Sequence, residues 1–154
     1  MKIRMLAYED FSEASNVLWK SFYFAEKNNH SMNGMELFRD LISPVSLSIH
    51  TLDGSVVLYG AFDSEKLVAV GALKNKSHIL MLYVLPNYQK KGIGDRLLRE
   101  LEKKCTVNKV TLNSSDFAIS FYQKRGYRVC GPRKVERDLI STPMEKNLME
   151  KRNN

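Results

Sequence analysis

Cysteine is scarce in this chain of 154 residues, occurring only at Cys105 and Cys130. Two cysteines that far apart make neither a metal-binding pattern nor a disulfide framework, so both are expected as reduced thiols. Missing as well is any apolar run long enough to cross a bilayer, which excludes a helical membrane protein. Met1 to Tyr8 has no signal-peptide core or small-residue cleavage site, so the expected location is cytoplasmic. No repeat or low-complexity linker divides the sequence, and its length suits a single domain over residues 1–154. There is no long block of one charge either. The formal net charge is +7, yet Lys and Arg are scattered, with short clusters at Lys90-Lys91, Lys103-Lys104 and Arg133-Lys134. A nucleic-acid binder gathers such charge among aromatics, so neither nucleic acid nor a membrane is an expected partner. The excess of positive charge favours an anionic ligand and weighs against a highly cationic one.

What is present reads as a mixed α+β chain. Ile3 to Ala7 is a first strand. Asp10 and Glu13 have the spacing of a capping box, and Phe11, Ala14, Leu18 and Phe22 follow at helical intervals. Asn28 to Asn33 reads as a loop and Met35 to Ile42 as a short helix that stops near Pro44. Val56 to Phe62 and Leu67 to Leu73 form a hairpin around Asp63 to Lys66. His78 to Leu85 is apolar almost throughout and is expected as a central strand buried on both faces. Ile93, Leu97, Leu98 and Leu101 mark one face of an amphipathic helix, with Asp95 near its start and Lys103-Lys104 near its end. Lys109 to Leu112 is a strand. Phe117 to Lys124 is a helix, capped by Ser115 or Asp116 and stopped at Gly126. Tyr127 to Cys130 and Thr142 to Leu148 close the sheet. The expected order is β-α-α-β-β-β-α-β-α-β-β.

The chemistry lies between Val84 and Gly94. A buried strand ends, a short loop follows, and a helix begins at glycines. The first turn of a helix leaves N–H groups without internal partners, which with the helix dipole make an anion site. Gly92 and Gly94 let a phosphate approach the backbone, and Lys90 and Lys91 add charge. The segment is not a P-loop, because Asp95 and Arg96 follow the second glycine, and it lacks the third glycine of a dinucleotide fingerprint.

The string V-x-x-x-x-Q-x-x-G-x-G, from Val84 to Gly94, resembles the acetyl-CoA signature of the GNAT superfamily of N-acetyltransferases. A second stretch, from Ser115 through Ala118, Phe121 and Tyr122 to Gly126 and Tyr127, is similar to that family's N-x-x-A-x-x-F-Y-x-x-x-G-F, with Ser115 in the place of the Asn. The resemblance implies a three-layer α/β/α fold around a mixed, mostly antiparallel sheet. It implies acetyl-CoA as acyl donor, no metal, and direct attack by a primary amine of a small molecule or peptide. Gln89, Lys90, Lys91, Gly92, Ile93, Gly94 and Asp95 would hold the pyrophosphate. Leu82, Tyr83 and Val84 would line the pantetheine and thioester, and Ser115 would take over the Asn contact, with Asn113 and Ser114 as nearby substitutes. Tyr122 would protonate the departing thiolate. The resemblance also allows a homodimer.

Other residues carry weaker expectations. His78 is a candidate proton relay, although such a histidine is more often structural. Glu9 and Asp10 read as capping groups. Val110 stands where some relatives carry a glutamate base, so the base is unassigned. Tyr8, Trp19, Phe22, Tyr23 and Phe24 crowd the first helix, and the three in succession cannot all face one core, so at least one should face a pocket or partner. Cys105 and Cys130 read as structural. The rival to an enzyme is a GNAT-like module that binds acyl-CoA without turning it over.

Overall fold

The computed structural model describes residues 1–148. The last positions of the expected domain, 149–154, lie outside the described residues. The elements run β1 (Lys2–Met5), α1 (Phe11–Glu26), α2 (Met32–Leu41), α3 (Pro44–Thr51), β2 (Val56–Asp63), β3 (Lys66–Lys74), β4 (His78–Val84), α4 (Ile93–Lys104), β5 (Lys109–Ser114), α5 (Ile119–Gln123), β6 (Arg128–Val129), β7 (Lys134–Glu136) and β8 (Leu139–Asn147). Short 3₁₀ turns over Tyr8–Asp10, Pro86–Tyr88 and Asp116–Ala118 lead into or out of them.

The strands form a sheet in the order β1-β2-β3-β4-β5-β8-β6, with β7 paired to β8. Every pairing is antiparallel except β4 with β5. Alternation along β2 sends Val56, Leu58 and Phe62 to one face, where they meet Phe11, Leu18 and Phe22 of α1, Phe38 of α2 and Leu47 of α3. The other face packs against α4, whose Ile93 and Leu97 join Ala61, Val68 and Ala69. Leu98 and Leu101 of α4 join Leu73, Ile79, Val110 and Leu112. The architecture is therefore the α+β, three-layer one with a mixed, mostly antiparallel sheet.

Behind α4 lies a buried polar cluster. Tyr127 Oη and Lys146 Nζ both donate to Glu102 Oε2, at 2.8 and 2.9 Å. Burial first, and then the Glu102 charge, push the Tyr127 phenol upward, so it stays the donor.

Several local expectations change. The capping box at Asp10 and Glu13 does not form, because the chain enters α1 through a 3₁₀ turn that moves the cap back to Ala7. Asp10 Oδ2 accepts from Ala7 N–H at 2.7 Å and pairs with Arg4, while Glu13 Oε1 accepts from Leu67 N–H at 3.1 Å. The helix expected from Met35 begins at Met32, since Ser31 caps it by accepting from Gly34 N–H. Pro44 does more than end that helix. It is the first residue of α3, capped by Ser43, because a proline lacks the N–H that a first helical position leaves unused. The last strand starts at Leu139 rather than Thr142, and a hairpin with β7 precedes it. Cys130 lies just beyond β6 and is exposed, whereas Cys105 is buried at the end of α4, and the two are not joined in a disulfide.

Candidate active site

The strand expected to be buried on both faces is not. Only His78 and Ile79 of β4 pair with β5, opposite Thr111 and Leu112. Past them β5 stays with β8 through to Ser114, while β4 stays with β3, so the two central strands part. The edge of β4 beyond Ile79 is consequently half-exposed. It borders a cavity of about 450 Å³, whose lining includes Leu82, Tyr83 and Val84.

At the wide end of the gap stands the loop before α4. Gln89 Nε2 donates to Val84 O at 3.1 Å, which folds the loop back onto the strand end. Lys90 and Gly92 both take left-handed backbone, with φ of +62° and +81°. Gly92 is the N-cap of α4, and no side chain caps that helix. The N–H groups of its first turn are thus free for an anion. A Cβ at Gly94 would stand 3.3 Å from Phe121 Cζ and 3.5 Å from Val84 Cγ2, so only glycine leaves this passage open. Gln89, Lys90, Gly92, Gly94 and Asp95 all line the cavity.

Two residues expected in that group do not. Ile93 turns into the core with Ala61, Val68 and Leu97, since the amphipathic face of α4 begins with it. The exposed Lys91 stands over the Tyr88 ring, 5.4 Å from its centroid. Asp95 lines the cavity with its charge already engaged. It pairs with Arg99 one turn on and accepts from Arg125 Nε at 2.9 Å. Burial alone would raise its carboxyl, but the hydrogen bonds from Arg99 and Arg125 hold it below the ordinary value.

The opposite wall comes from the segment after β5. Ser115 lines the cavity and caps the 3₁₀ turn, its Oγ accepting from Ala118 N–H at 3.2 Å. The hydroxyl proton is left over for a further partner. Asn113 is on the same wall, and Ser114 Oγ donates to Ser115 O at 2.8 Å. Tyr122 lines the cavity from α5, 6% exposed, its ring edge-on to Phe121 and Tyr127. Burial pushes its phenol upward, so it carries its proton at neutral pH.

The sequence reading passed over Arg125 and Lys124, which also line the cavity. Arg125 is fixed by Asp95, by Phe121 O at 2.9 Å and by the Phe121 ring, 3.8 Å below its guanidinium carbon. The signal for it was present in the basic pair inside the second motif, Lys124-Arg125.

Other expectations fall away from the cavity. His78 is absent from its lining. Its Nδ1 lies 2.7 Å from Thr111 Oγ1, at the closed end of the gap where β4 and β5 still pair. Val110 is fully buried in the core. Of the aromatics near α1, Phe22 is buried and stacks on Phe38 with centroids 3.7 Å apart, while Tyr8, Tyr23 and Phe24 are exposed away from the cavity. The helix meets the cavity through the small side chains of Ser21 and Ala25 instead.

Known proteins are similar to this chain in sequence and fold. Residues 26–148 match the family described as an acetyltransferase (GNAT) domain. A spermidine N(1)-acetyltransferase from Thermoplasma acidophilum is 31% identical, over 84% of this chain and 89% of that protein. A PaiA N-acetyltransferase structure from the same organism, in complex with coenzyme A, is 26% identical, with a TM-score of 0.78 over 96% of this chain and 99% of the other. A GCN5-related N-acetyltransferase from Rhodopseudomonas palustris is 25% identical, with a TM-score of 0.85 over 96% of this chain and 95% of the other.

Proposed function

The chain belongs to the GNAT family and is an N-acetyltransferase, and from that premise we propose that it moves an acetyl group from acetyl-CoA to a primary amine of a small molecule, working as a single domain. The observation that carries this reading is the gap between β4 and β5, with the uncapped start of α4 at one end and Tyr122 inside it.

The residues fit the cofactor. The glycine passage at Gly92 and Gly94 and the first-turn N–H groups of α4 suit a pyrophosphate, with Lys90 adding charge. Gln89 serves by fixing the loop, and Asp95 by fixing Arg125, whose guanidinium lines the cavity. Leu82, Tyr83 and Val84 offer an unpaired strand edge to an extended chain with amide groups, as a sheet edge does to an added strand. Ser115 contributes its spare hydroxyl proton. When bound, acetyl-CoA supplies an activated thioester. A backbone N–H of the β4 edge stabilises the oxyanion, and Tyr122 gives its proton to the leaving sulfur.

One comparison supports an aliphatic amine as acceptor: the similar protein from Thermoplasma acidophilum is named for spermidine. The net charge of +7 opposes a polycation at long range, but local groups at the acceptor end decide the outcome within a Debye length. The test is release of free CoA thiol from acetyl-CoA across a panel of polyamines, amino acids and peptide N-termini. Turnover should be greatest with a polyamine. Acetyl-CoA and CoA, but not NAD, should also raise the melting temperature. CoA binding without thiol release on any amine would leave a binding module.

A further inference from the structure

A fixed guanidinium stands beside the start of α4 with one of its arms unused. Arg125 lies two residues past Gln123, where α5 ends. Its Nε donates to Asp95 Oδ1 and its Nη1 to Phe121 O, each at 2.9 Å. Nη2 donates to no group among the described residues, although the side chain is only 28% exposed and lines the cavity. A guanidinium carries five N–H groups in a rigid planar fork. Two bonds on the Nε and Nη1 sides therefore fix the plane and leave the Nη2 protons for a further acceptor.

The contacts of Arg125 put that arm at the glycine passage. Asp95, its carboxylate partner, follows Gly94 in the first turn of α4. The guanidinium carbon lies 3.8 Å from the centroid of Phe121, and Cζ of the same ring would stand 3.3 Å from a Cβ at Gly94. Guanidinium, ring and glycine thus form one continuous stack. The charge around it is positive. Asp95 pairs with Arg99 as well as Arg125, so two guanidiniums share one carboxylate and one positive charge is left over. Arg99 is absent from the cavity lining, which makes Arg125 the member of the pair that meets a ligand there. A planar, weakly hydrated cation stacked on a ring suits a phosphate oxygen better than a mobile ammonium does.

We propose that Arg125 reads the pyrophosphate of the acyl donor, its Nη2 donating to a phosphate oxygen, with Asp95 and Phe121 as the residues that position it. This rests on the acetyl-transfer reading and deepens it by naming a donor-specificity residue outside the glycine loop. The first-turn N–H groups of α4 attract an anion from one side. Arg125 adds a second point of contact from the end of α5, so the phosphates are held between the two helices. The contact is remote from the thioester and is made equally in the ground and transition states. It therefore governs donor binding and leaves the chemical step alone.

The experiment is calorimetry of CoA and of dephospho-CoA, which keeps the pyrophosphate but lacks the 3′-phosphate, on wild type, Arg125→Gln and Arg125→Lys. Arg128→Gln removes the same charge from an exposed arginine paired with Glu145 and controls for the overall field. Arg125→Gln should weaken both ligands alike, by about tenfold to a hundredfold, the scale of a hydrogen bond to a charged group. Arg125→Lys keeps the charge but loses the fork, so its loss should be intermediate, and it carries the test if Arg125→Gln does not fold. In both variants KM for acetyl-CoA should rise while kcat at saturation holds, a split that a merely structural clip between α4 and α5 would not give. Arg128→Gln should bind both ligands as wild type does. Unchanged affinity in a folded Arg125 variant, a loss seen with CoA but absent with dephospho-CoA, an equal loss in Arg128→Gln, or a fall in kcat with KM unchanged overturns the proposal. A wild type that binds CoA no more tightly than NAD sinks the acetyl-transfer reading and this inference with it, whereas tight and equal CoA binding by wild type and Arg125→Gln sinks this inference only.

Discussion

Asp95 Oδ1 accepts a hydrogen bond from Arg125 Nε at 2.9 Å, joining the first turn of α4 to the end of α5 across the cavity mouth. The pair does two things at once. It fixes a guanidinium on the cavity wall, and with Arg99 it neutralises a carboxylate that would otherwise cancel the positive end of α4. Phe121 supports the same guanidinium from below and faces Gly94 from the side, so the aromatic ring sets the spacing between charge and glycine.

That spacing makes Gly94 the sharpest probe of the proposed cofactor site. Gly94→Glu puts a Cβ within 3.3 Å of Phe121 Cζ and a negative charge at the start of α4. The helical backbone of Gly94 accepts a side chain without a left-handed penalty, unlike Gly92 at φ +81°. The variant should therefore fold and lose most of its affinity for acetyl-CoA. Calorimetry that finds wild-type affinity in a folded Gly94→Glu protein removes the pyrophosphate from this loop.

Tyr122→Phe tests the proposed proton donor. The ring is held edge-on by Phe121 and Tyr127, contacts that do not involve the hydroxyl. Packing should survive, and only a contribution made in the transition state is lost. We expect kcat to fall by about a hundredfold with little change in acetyl-CoA affinity. Wild-type kcat in the variant returns Tyr122 to the core.

The acid limb of stability should carry the signature of Asp116. Hydrogen bonds from Arg133 first, and then from Asn29, hold its carboxyl down at about 2, against an ordinary 3.8. A depressed carboxyl stabilises the fold above its unfolded value and loses that contribution as pH falls through the folded value. The loss attributable to Asp116 thus lies between 3.8 and about 2. Its side chain is a third exposed, so solvent screens the pair and the contribution is modest. Asp116→Asn should lower stability near neutrality slightly and flatten the denaturation midpoint across that acid window. Identical acid limbs in the two proteins would show that the Arg133 pair does not form in solution.

Much of this molecule was legible because its signals are local. Ile93, Leu97, Leu98 and Leu101 fix the buried face of α4 through helical spacing alone, and Gly92 before them marks a helix start with no side-chain cap. The hairpin of β2 and β3 followed from alternation and breaks. Caps were less readable, since Asp10 has the composition for one role and the turn at Tyr8 assigns it another.

The cavity itself was not written in any segment. His78 to Leu85 has the same apolar pattern whether its strand is paired on both edges or on one, and only the departure of β5 with β8 after Ile79 opens the gap. The Glu26–His30 pair has helical spacing, but its surroundings come from Phe22 and an Ile140 N–H from 110 positions away. Arg125 reaches its place through Asp95, 30 positions earlier. The sequence by itself determined which helix starts at a glycine with its first-turn N–H groups uncapped, because a helix terminus takes its field from its own backbone. The tertiary structure alone decided which charges and hydroxyls surround it, because these meet only when strands distant in sequence are brought side by side.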